Sequence, residues 1–456
     1  MRSRILAYAA AGAALLGCRP SDVLSVPPPP GVVSGGSLNT PDGAESIFEA
    51  GRYQLFNGLV GYNNLLMWSE TLSDEYTWFL ASDAGLGMNV DARTTSAGGG
   101  YAEGGDNALQ PLLTGRSSLL VALPVMEKYE AATNLSHVGE AFALVGYSEL
   151  LLAEDYCAGL PLSQVLPGGR GIQYGHPLTT DSLLGVAEAH FDSALAHAAG
   201  SDTVVNLASI GLARTLLNRA RYDSAALVVA NVTPGFVYNT DMPPTPNQGG
   251  TSGVNLYAGM TTVYGVQLIN VSDREGTNGQ PFISAHDPRL QFDTTFTMTG
   301  AATWYVPKKF ENFEYIPLAT GIEAGLIQAE AALHNGSGAW LTDLQALRTS
   351  AGDTATIADP ISPSARVDLL FSERAFWLFG TGTRLGDLRR LIRQYGRDQS
   401  TVFPTGTYVP GTNPSLSSPP ILTYGTDVNL TLPTGAQTVV TPSSNPYYKG
   451  CIDSGA

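Results

Sequence analysis

The stretch Leu370-Phe371-Ser372-Glu373-Arg374-Ala375-Phe376-Trp377-Leu378-Phe379-Gly380, followed by Thr383-Arg384-Leu385-Gly386-Asp387-Leu388-Arg389-Arg390, interleaves apolar and charged residues at helical spacing. Ser362-Pro363 opens it with a capping hydroxyl and a proline at the first helical position. Val367, Leu370, Phe371, Ala375, Leu378 and Phe379 recur at three and four residues, the buried face of an amphipathic helix. A second helix over 383–394 follows at once and buries Leu385, Leu388 and Ile392. The glycine-rich segment 380–386 is one residue too long for a dinucleotide fingerprint and joins helix to helix, so it is a turn. Arg384, Arg389, Arg390, Arg393 and Arg397 could receive an anion, but beside Glu373 and Asp387 they read as internal ion pairs.

Working toward the N-terminus, the same unit recurs. Segments 322–334 and 339–349 flank the turn Asn335-Gly336-Ser337-Gly338, and 206–219 and 222–232 flank Ala220-Arg221 and stop at Pro234. Both pairs look like tetratricopeptide hairpins. Further helices are expected over 136–155, 180–199, about 106–133, and from the Thr40-Pro41-Asp42 cap to about Leu59. The spacing between pairs is irregular, which excludes a regular solenoid. The insertion near 61–105 reads as loop with aromatic residues, and those near 235–320 and 398–456 carry turn residues and β-branched stretches without helical period. The expected fold class is therefore mainly α, with tetratricopeptide-like helical pairs, loop-rich insertions and a few short β-strands, in one body over 39–456.

Residues 1–17 have a charged start, an apolar centre too short to span a bilayer, and a small residue at the end, which marks an export signal. Leu15-Leu16-Gly17-Cys18 resembles the lipobox of bacterial lipoproteins, implying acylation of Cys18 and a stable membrane anchor. Residues 18–38, with Pro27-Pro28-Pro29-Pro30, form an extended tether. Cys157 and Cys451 then remain in a compartment that permits disulfides, and they are expected to pair.

The chain has 456 residues, 43% of them apolar and 14% charged, which excludes wholesale disorder and supplies a large core. A formal charge of −16 without a basic arm excludes a nucleic-acid partner. The signatures of zinc proteases, serine hydrolases, phosphate-binding loops and Cys-x-x-Cys sites are missing. The pairs Asp74/Glu75 and Glu154/Asp155 could in principle supply acid and base for glycoside hydrolysis, but sequence neighbours seldom flank a scissile bond. They read as surface or capping carboxylates. His286-Asp287-Pro288 reads as a turn. His190 and His197 lack partners at ligand spacing, and Asp83, Asn89 and Asp91 lack that of a calcium hand, so no metal or cofactor is expected.

Several segments, in order, resemble the SusD/RagB family of nutrient-binding outer-membrane lipoproteins. They are 138–163 with Asp155-Tyr156 ahead of Pro161, Asp287-Pro288-Arg289, 305–310, Gln328-Ala329-Glu330-Ala331, Leu344-Gln345-Ala346-Leu347-Arg348, and the 370–390 stretch with its Glu-Arg, Phe-x-Gly and Asp-Leu-Arg-Arg elements. Gly386 stands where the family often has an aromatic residue, and Val440-Thr441-Pro442 where it has Pro-Ile-Pro. The resemblance implies four tetratricopeptide-like pairs and a loop-rich ligand face, lipid-anchored on the outside of the outer membrane. It implies a SusC-like TonB-dependent transporter as partner, and no covalent chemistry. Oligosaccharides are the expected ligands, because sugar rings stack on aromatic faces and hydroxyls pair with polar side chains. Trp68, Trp78, Tyr101, Trp304 and Tyr305, all in insertions, are the candidate platforms, whereas Trp340 and Trp377 lie in hairpins as core. A RagB-like peptide receptor, a tetratricopeptide-type scaffold lipoprotein and an all-helical glycosidase or lyase are the alternatives.

Overall fold

The computed structural model describes residues 39–61, 65–78, 87–94, 108–129, 135–166, 171–240, 269–296, 303–309, 315–408, 422–432 and 445–456. The export signal, Cys18, the tether and Tyr101 lie outside the described residues. Many helices begin where a hydroxyl accepts an otherwise unpaired amide. Helix α1 (Pro41–Val60) opens on Thr40, whose side chain accepts from the Gly43 N–H. Helices α2 (Leu65–Leu72), α3 (Gly87–Asp91), α4 (Ala108–Lys128) and α5 (Leu135–Asp155) follow. Thr179 and Ser201 cap α6 (Thr180–Ala196) and α7 (Asp202–Asn218), and α8 (Tyr222–Val229) comes next. Thr320 caps α9 (Gly321–His334), which pairs with α10 (Ala339–Ser350). Ser362 caps α11 (Pro363–Trp377), and α12 (Arg384–Arg393) and α13 (Gln399–Val402) complete the series.

Each helix from α5 to α10 packs on the next, and α11 packs on α9, so the hairpins form one continuous scaffold. The α1–α4 crossing is close because glycines face it. A Cβ on Gly58 would come to 2.6 Å from the Leu112 nitrogen, and one on Gly115 to 2.5 Å from the Leu55 nitrogen. Short antiparallel pairs make up the rest. They are β1 (Tyr76–Trp78), β2 (Gln164–Val165), β3 (Ile172–Gln173), β4 (Val237–Asn239), β5 (Ile269–Val271), β6 (Phe292–Phe296), β7 (Thr303–Pro307), β8 (Pro317–Thr320), β9 (Thr407–Tyr408) and β10 (Leu422–Thr423). β1 pairs with β5, β2 with β3, β4 with β8, β6 with β7 and β9 with β10.

The mainly α architecture with short strands is as the sequence predicts, but the segment 61–105 is more than loop. It holds α2, β1 and α3. All eight residues of α2 are buried, Ser69, Glu70 and Thr71 among them, so no solvent-facing stripe marks the helix. At the other end of the chain, Cys157 and Cys451 are bonded, with Cα atoms 5.6 Å apart. The Cys157 N–H donates to the Leu430 carbonyl at 3.0 Å, and Ala158 and Asp453 form an antiparallel bridge. The tail is thereby laced onto the end of α5.

Candidate functional site

A buried polar frame lies where the insertions leave the helices. Asp74 accepts two hydrogen bonds from Arg384, at 2.6 and 2.8 Å, and one from the Gln280 N–H at 2.9 Å. Glu75 accepts the Gly380 N–H and Glu70 the Gly382 N–H, both at 2.9 Å. The glycine turn between α11 and α12 is thus seated on two buried glutamates, with Gly380 and Gly382 at φ of +73° and +74°. Asp91 accepts from the Trp78 N–H at 2.6 Å, Thr77 Oγ1 at 3.1 Å and the Tyr408 hydroxyl at 2.8 Å. Glu275 accepts from the Tyr424 hydroxyl at 2.9 Å. Arg93 donates to the carbonyls of Asp427 and Pro404, each at 2.7 Å, and lies over the Phe403 ring.

Cations are too few here for the acids. Beyond burial, the charge of Glu75 raises Glu70, and that of Asp91 raises Glu275. One oxygen of each of these four carboxylates is buried with no N–H or O–H donor. A proton retained on one member of each pair would give these oxygens a donor. Burial pushes Glu75 up to about 8 and Asp91 up to about 6. Burial together with the neighbouring carboxylate raises Glu70 and Glu275 well above the usual range. Burial lowers Lys309, beside Glu75 and Glu70, to about 8.

This frame gathers the roots of the insertions at one rim. Trp78 and Ile269 are cross-strand partners. Asn270 binds the edge of β7 like a strand, donating to the Thr303 carbonyl at 3.2 Å and accepting the Tyr305 N–H at 3.0 Å. Asp91, just ahead of Thr94, holds Tyr408, which pairs with Leu422. β1, β5, β7, β9 and β10 are thereby tied to one shared frame.

Two of the five candidate platforms belong to the frame's core instead. Trp68 is 0% and Trp78 1% exposed, and their rings stack with centroids 5.7 Å apart. Gly87 lies so close to the Trp78 ring that a Cβ there would come to 2.1 Å. Large aromatic rings pack wherever apolar surface is available, and being in an insertion does not keep them at the surface. Tyr305 is half-buried and meets Phe292 edge-on, with ring centroids 6.0 Å apart. The backbone of Trp304 stands opposite Thr295, while its side chain, like all of Tyr101, lies outside the described residues. Trp340 is buried as expected, and Trp377 is half-buried under the Arg289 guanidinium.

The acidic pairs are neither surface groups nor caps. Asp74, Glu75, Glu154 and Asp155 are all buried. Glu154 accepts from Arg214 at 2.9 Å and from Asn218 at 2.6 Å, and Asp155 accepts from the Ser69 hydroxyl at 2.9 Å. Three of the five arginines expected in internal ion pairs form them, namely Arg390, Arg397 and Arg384, the last with Asp74, whereas Arg393 donates to Asn218 Oδ1 at 3.1 Å. Arg390 binds Glu330 and Asp387, Arg374 binds Asp387, and Arg397 binds Asp368. Arg389 differs, since it donates to the Ala153, Glu154 and Tyr156 carbonyls, and burial pushes it down to about 9. His286-Asp287 is a turn in which Asp287 and Glu373 clamp Arg289. Asp91, Arg93, Glu275, Tyr408 and Tyr424 went unread as a set because they span more than 300 positions without a local motif.

No family model matches the chain, and no curated protein does. Solved structures do. A SusD-like carbohydrate binding protein from Bacteroides vulgatus superposes with a TM-score of 0.54 at 16% identity, over 76% of this chain and 83% of its own. Surface glycan-binding protein A from Bacteroides uniformis gives 0.54 at 15% identity, over 79% and 90%. A SusD homolog from Bacteroides thetaiotaomicron gives 0.59 at 12% identity, over 88% and 96%. Identity this low speaks for the path of the backbone, and by that path the chain has the SusD-like fold.

Proposed function

We propose that the chain is a non-enzymatic oligosaccharide receptor, anchored through lipid on Cys18 to the outer membrane and facing the cell exterior. It captures its ligand at the loop rim and delivers it to a SusC-like TonB-dependent transporter. Residues 1–17 are removed on export and 18–38 act as the tether. The observation that carries this reading is the convergence of the insertions on one rigid frame, in a fold shared with proteins described as carbohydrate- and glycan-binding. Loops held by a rigid scaffold are where binding residues concentrate. Among the described residues, no helix is long and apolar enough to cross a membrane.

With Trp68 and Trp78 in the core, the platforms of this reading are Tyr101, Trp304 and Tyr305. Calorimetric titration with neutral oligosaccharides and with mixed peptides tests it. Binding of at least one glycan, weakened about tenfold or more in W304A or Y305A, is the expected result, since a stacked ring contributes on the order of 1 kcal/mol. Peptide binding alone would turn the chain into a RagB-like receptor. Affinity purification from solubilised outer membranes tests the partner, with a stoichiometric TonB-dependent barrel expected.

A further inference from the structure

The turn 335–338, the segment leading into α11 and the chain just after α12 enclose a cavity of about 310 Å³. Its apolar walls include Leu333, Val367, Trp340 and Tyr395. Trp340 lines it while only 3% exposed. Tyr395 is held by its hydroxyl, which donates to Glu330 at 2.7 Å, and by edge contact with Phe371. His334 is exposed at the mouth, with one ring face stacked on Tyr222 at a centroid distance of 3.8 Å. Beside it, Arg366 and Asp359 form a two-pronged pair, Nε to Oδ1 at 2.7 Å and Nη2 to Oδ2 at 2.8 Å.

An apolar chamber with a few oriented polar groups is the usual form of a small-molecule site, and this one is at the lower end of the size range, about 300–1,000 Å³. It is too small for an oligomer. The chemistry of its rim selects among single rings. An aromatic or aliphatic group would leave the polar rim unused, an anion would meet Asp359, and a cation would meet Arg366. A neutral ring bearing adjacent hydroxyls uses donor and acceptor together while its C–H face lies on the apolar wall of Leu333, Val367 and Tyr395.

We propose that this cavity is a second carbohydrate site, for one neutral pyranose unit, on the helical scaffold. It is separate from the loop rim. Helix α12 begins at Arg384, bonded to Asp74 of the frame, and ends just before Tyr395, so its ten residues set the two places about 15 Å or more apart. The choice of a sugar as ligand rests on the receptor reading, and the test separates the two.

The experiment follows the Trp340 indole N–H by NMR in the isotopically labelled full chain, with the resonance assigned by its loss in W340F. The probes are methyl glucoside, methyl galactoside, methyl mannoside and N-acetylglucosamine at millimolar concentration. At least one probe is expected to move the resonance saturably. The shift should weaken about tenfold in D359N and vanish in D359A/R366A, whose partly exposed pair contributes little to folding. Silence toward all four probes, or a shift that survives in D359A/R366A, overturns the proposal. Calorimetry with oligosaccharides on the same variants is expected to match the unaltered chain. A responsive Trp340 without any oligosaccharide binding would sink the receptor reading and leave the cavity standing, and the converse would sink the cavity.

Discussion

Two buried polar regions meet at the glycine turn between α11 and α12 and solve the same problem differently. Around α12, acids meet guanidinium groups. Arg374 and Arg390 share Asp387, Arg390 also binds Glu330, and Arg214 binds Glu154. Burial alone would raise Asp387, but Arg374 and Arg390 pull it down to about 2. Beneath the loop rim, Glu70, Glu75, Asp91 and Glu275 outnumber the cations, and protons take the place of arginines. Asp387 keeps its charge across the neutral range, whereas Glu75 and Asp91 change theirs there. A scaffold closed by ion pairs thus carries, beneath the insertions, a buried acidic frame whose charge follows pH.

The largest test strikes the base of the ion-paired region, where Arg389 grips the Tyr156 carbonyl next to the Cys157–Cys451 bond. Replacing both cysteines by serine should cost up to about 5–6 kcal/mol by chain entropy, given the 294-residue separation. Urea unfolding measures it, and hydrogen exchange should show the tail 445–456 opening first. Next comes Arg390→Met, which strips buried Glu330 of its nearest cation. A loss of about 3–5 kcal/mol at neutral pH is expected. A loss below about 1 kcal/mol would mean that ion pairs do not hold this region, and the contrast drawn above would fail.

The third test is pH. Glu75 is raised from 4.5 to about 8, so between those values the folded protein keeps a proton that the unfolded chain has released. The stability it contributes is complete below about pH 4.5 and lost as pH rises through about 8. Asp91 adds the same sense up to about pH 6. Each proton gives a slope of about −1.4 kcal/mol per pH unit within its window. Asp387 has the opposite sign, its contribution being present above pH 3.8 and lost as pH falls through about 2. Urea midpoints from pH 5 to 7.5 should therefore decline with pH, more gently in E75Q, and as steeply as before in Arg390→Met. A flat profile would remove the proton-sharing account. The smallest effect belongs to a site outside both regions. Ser362→Ala removes the acceptor of the Ala365 N–H and should cost about 1 kcal/mol without altering the pH slope.

Helices with one polar face were legible because their period is written in neighbouring residues, as Val367, Leu370, Phe371 and Ala375 show for α11. Helix α2 was not, since burial on all sides leaves no solvent-facing stripe. Arg384 and Arg390 were readable as internal partners from the acids around them. Their actual partners were not, because Glu330 and Asp74 come from 60 and 310 positions away. The same distance hid the loop-rim frame, and it let Trp68 and Trp78 pass for surface platforms when they stack in the core.

What the sequence by itself determined was the helical scaffold, the short-stranded insertions, the glycine turn of 380–386 and the pairing of Cys157 with Cys451, since each follows from local period, turn chemistry or a short count of residues. Tertiary structure alone decided which aromatic rings are buried, which carboxyls keep a proton and where the insertions meet. Those outcomes depend on desolvation and on partners brought together across the whole chain, and neither is encoded in any one stretch of it.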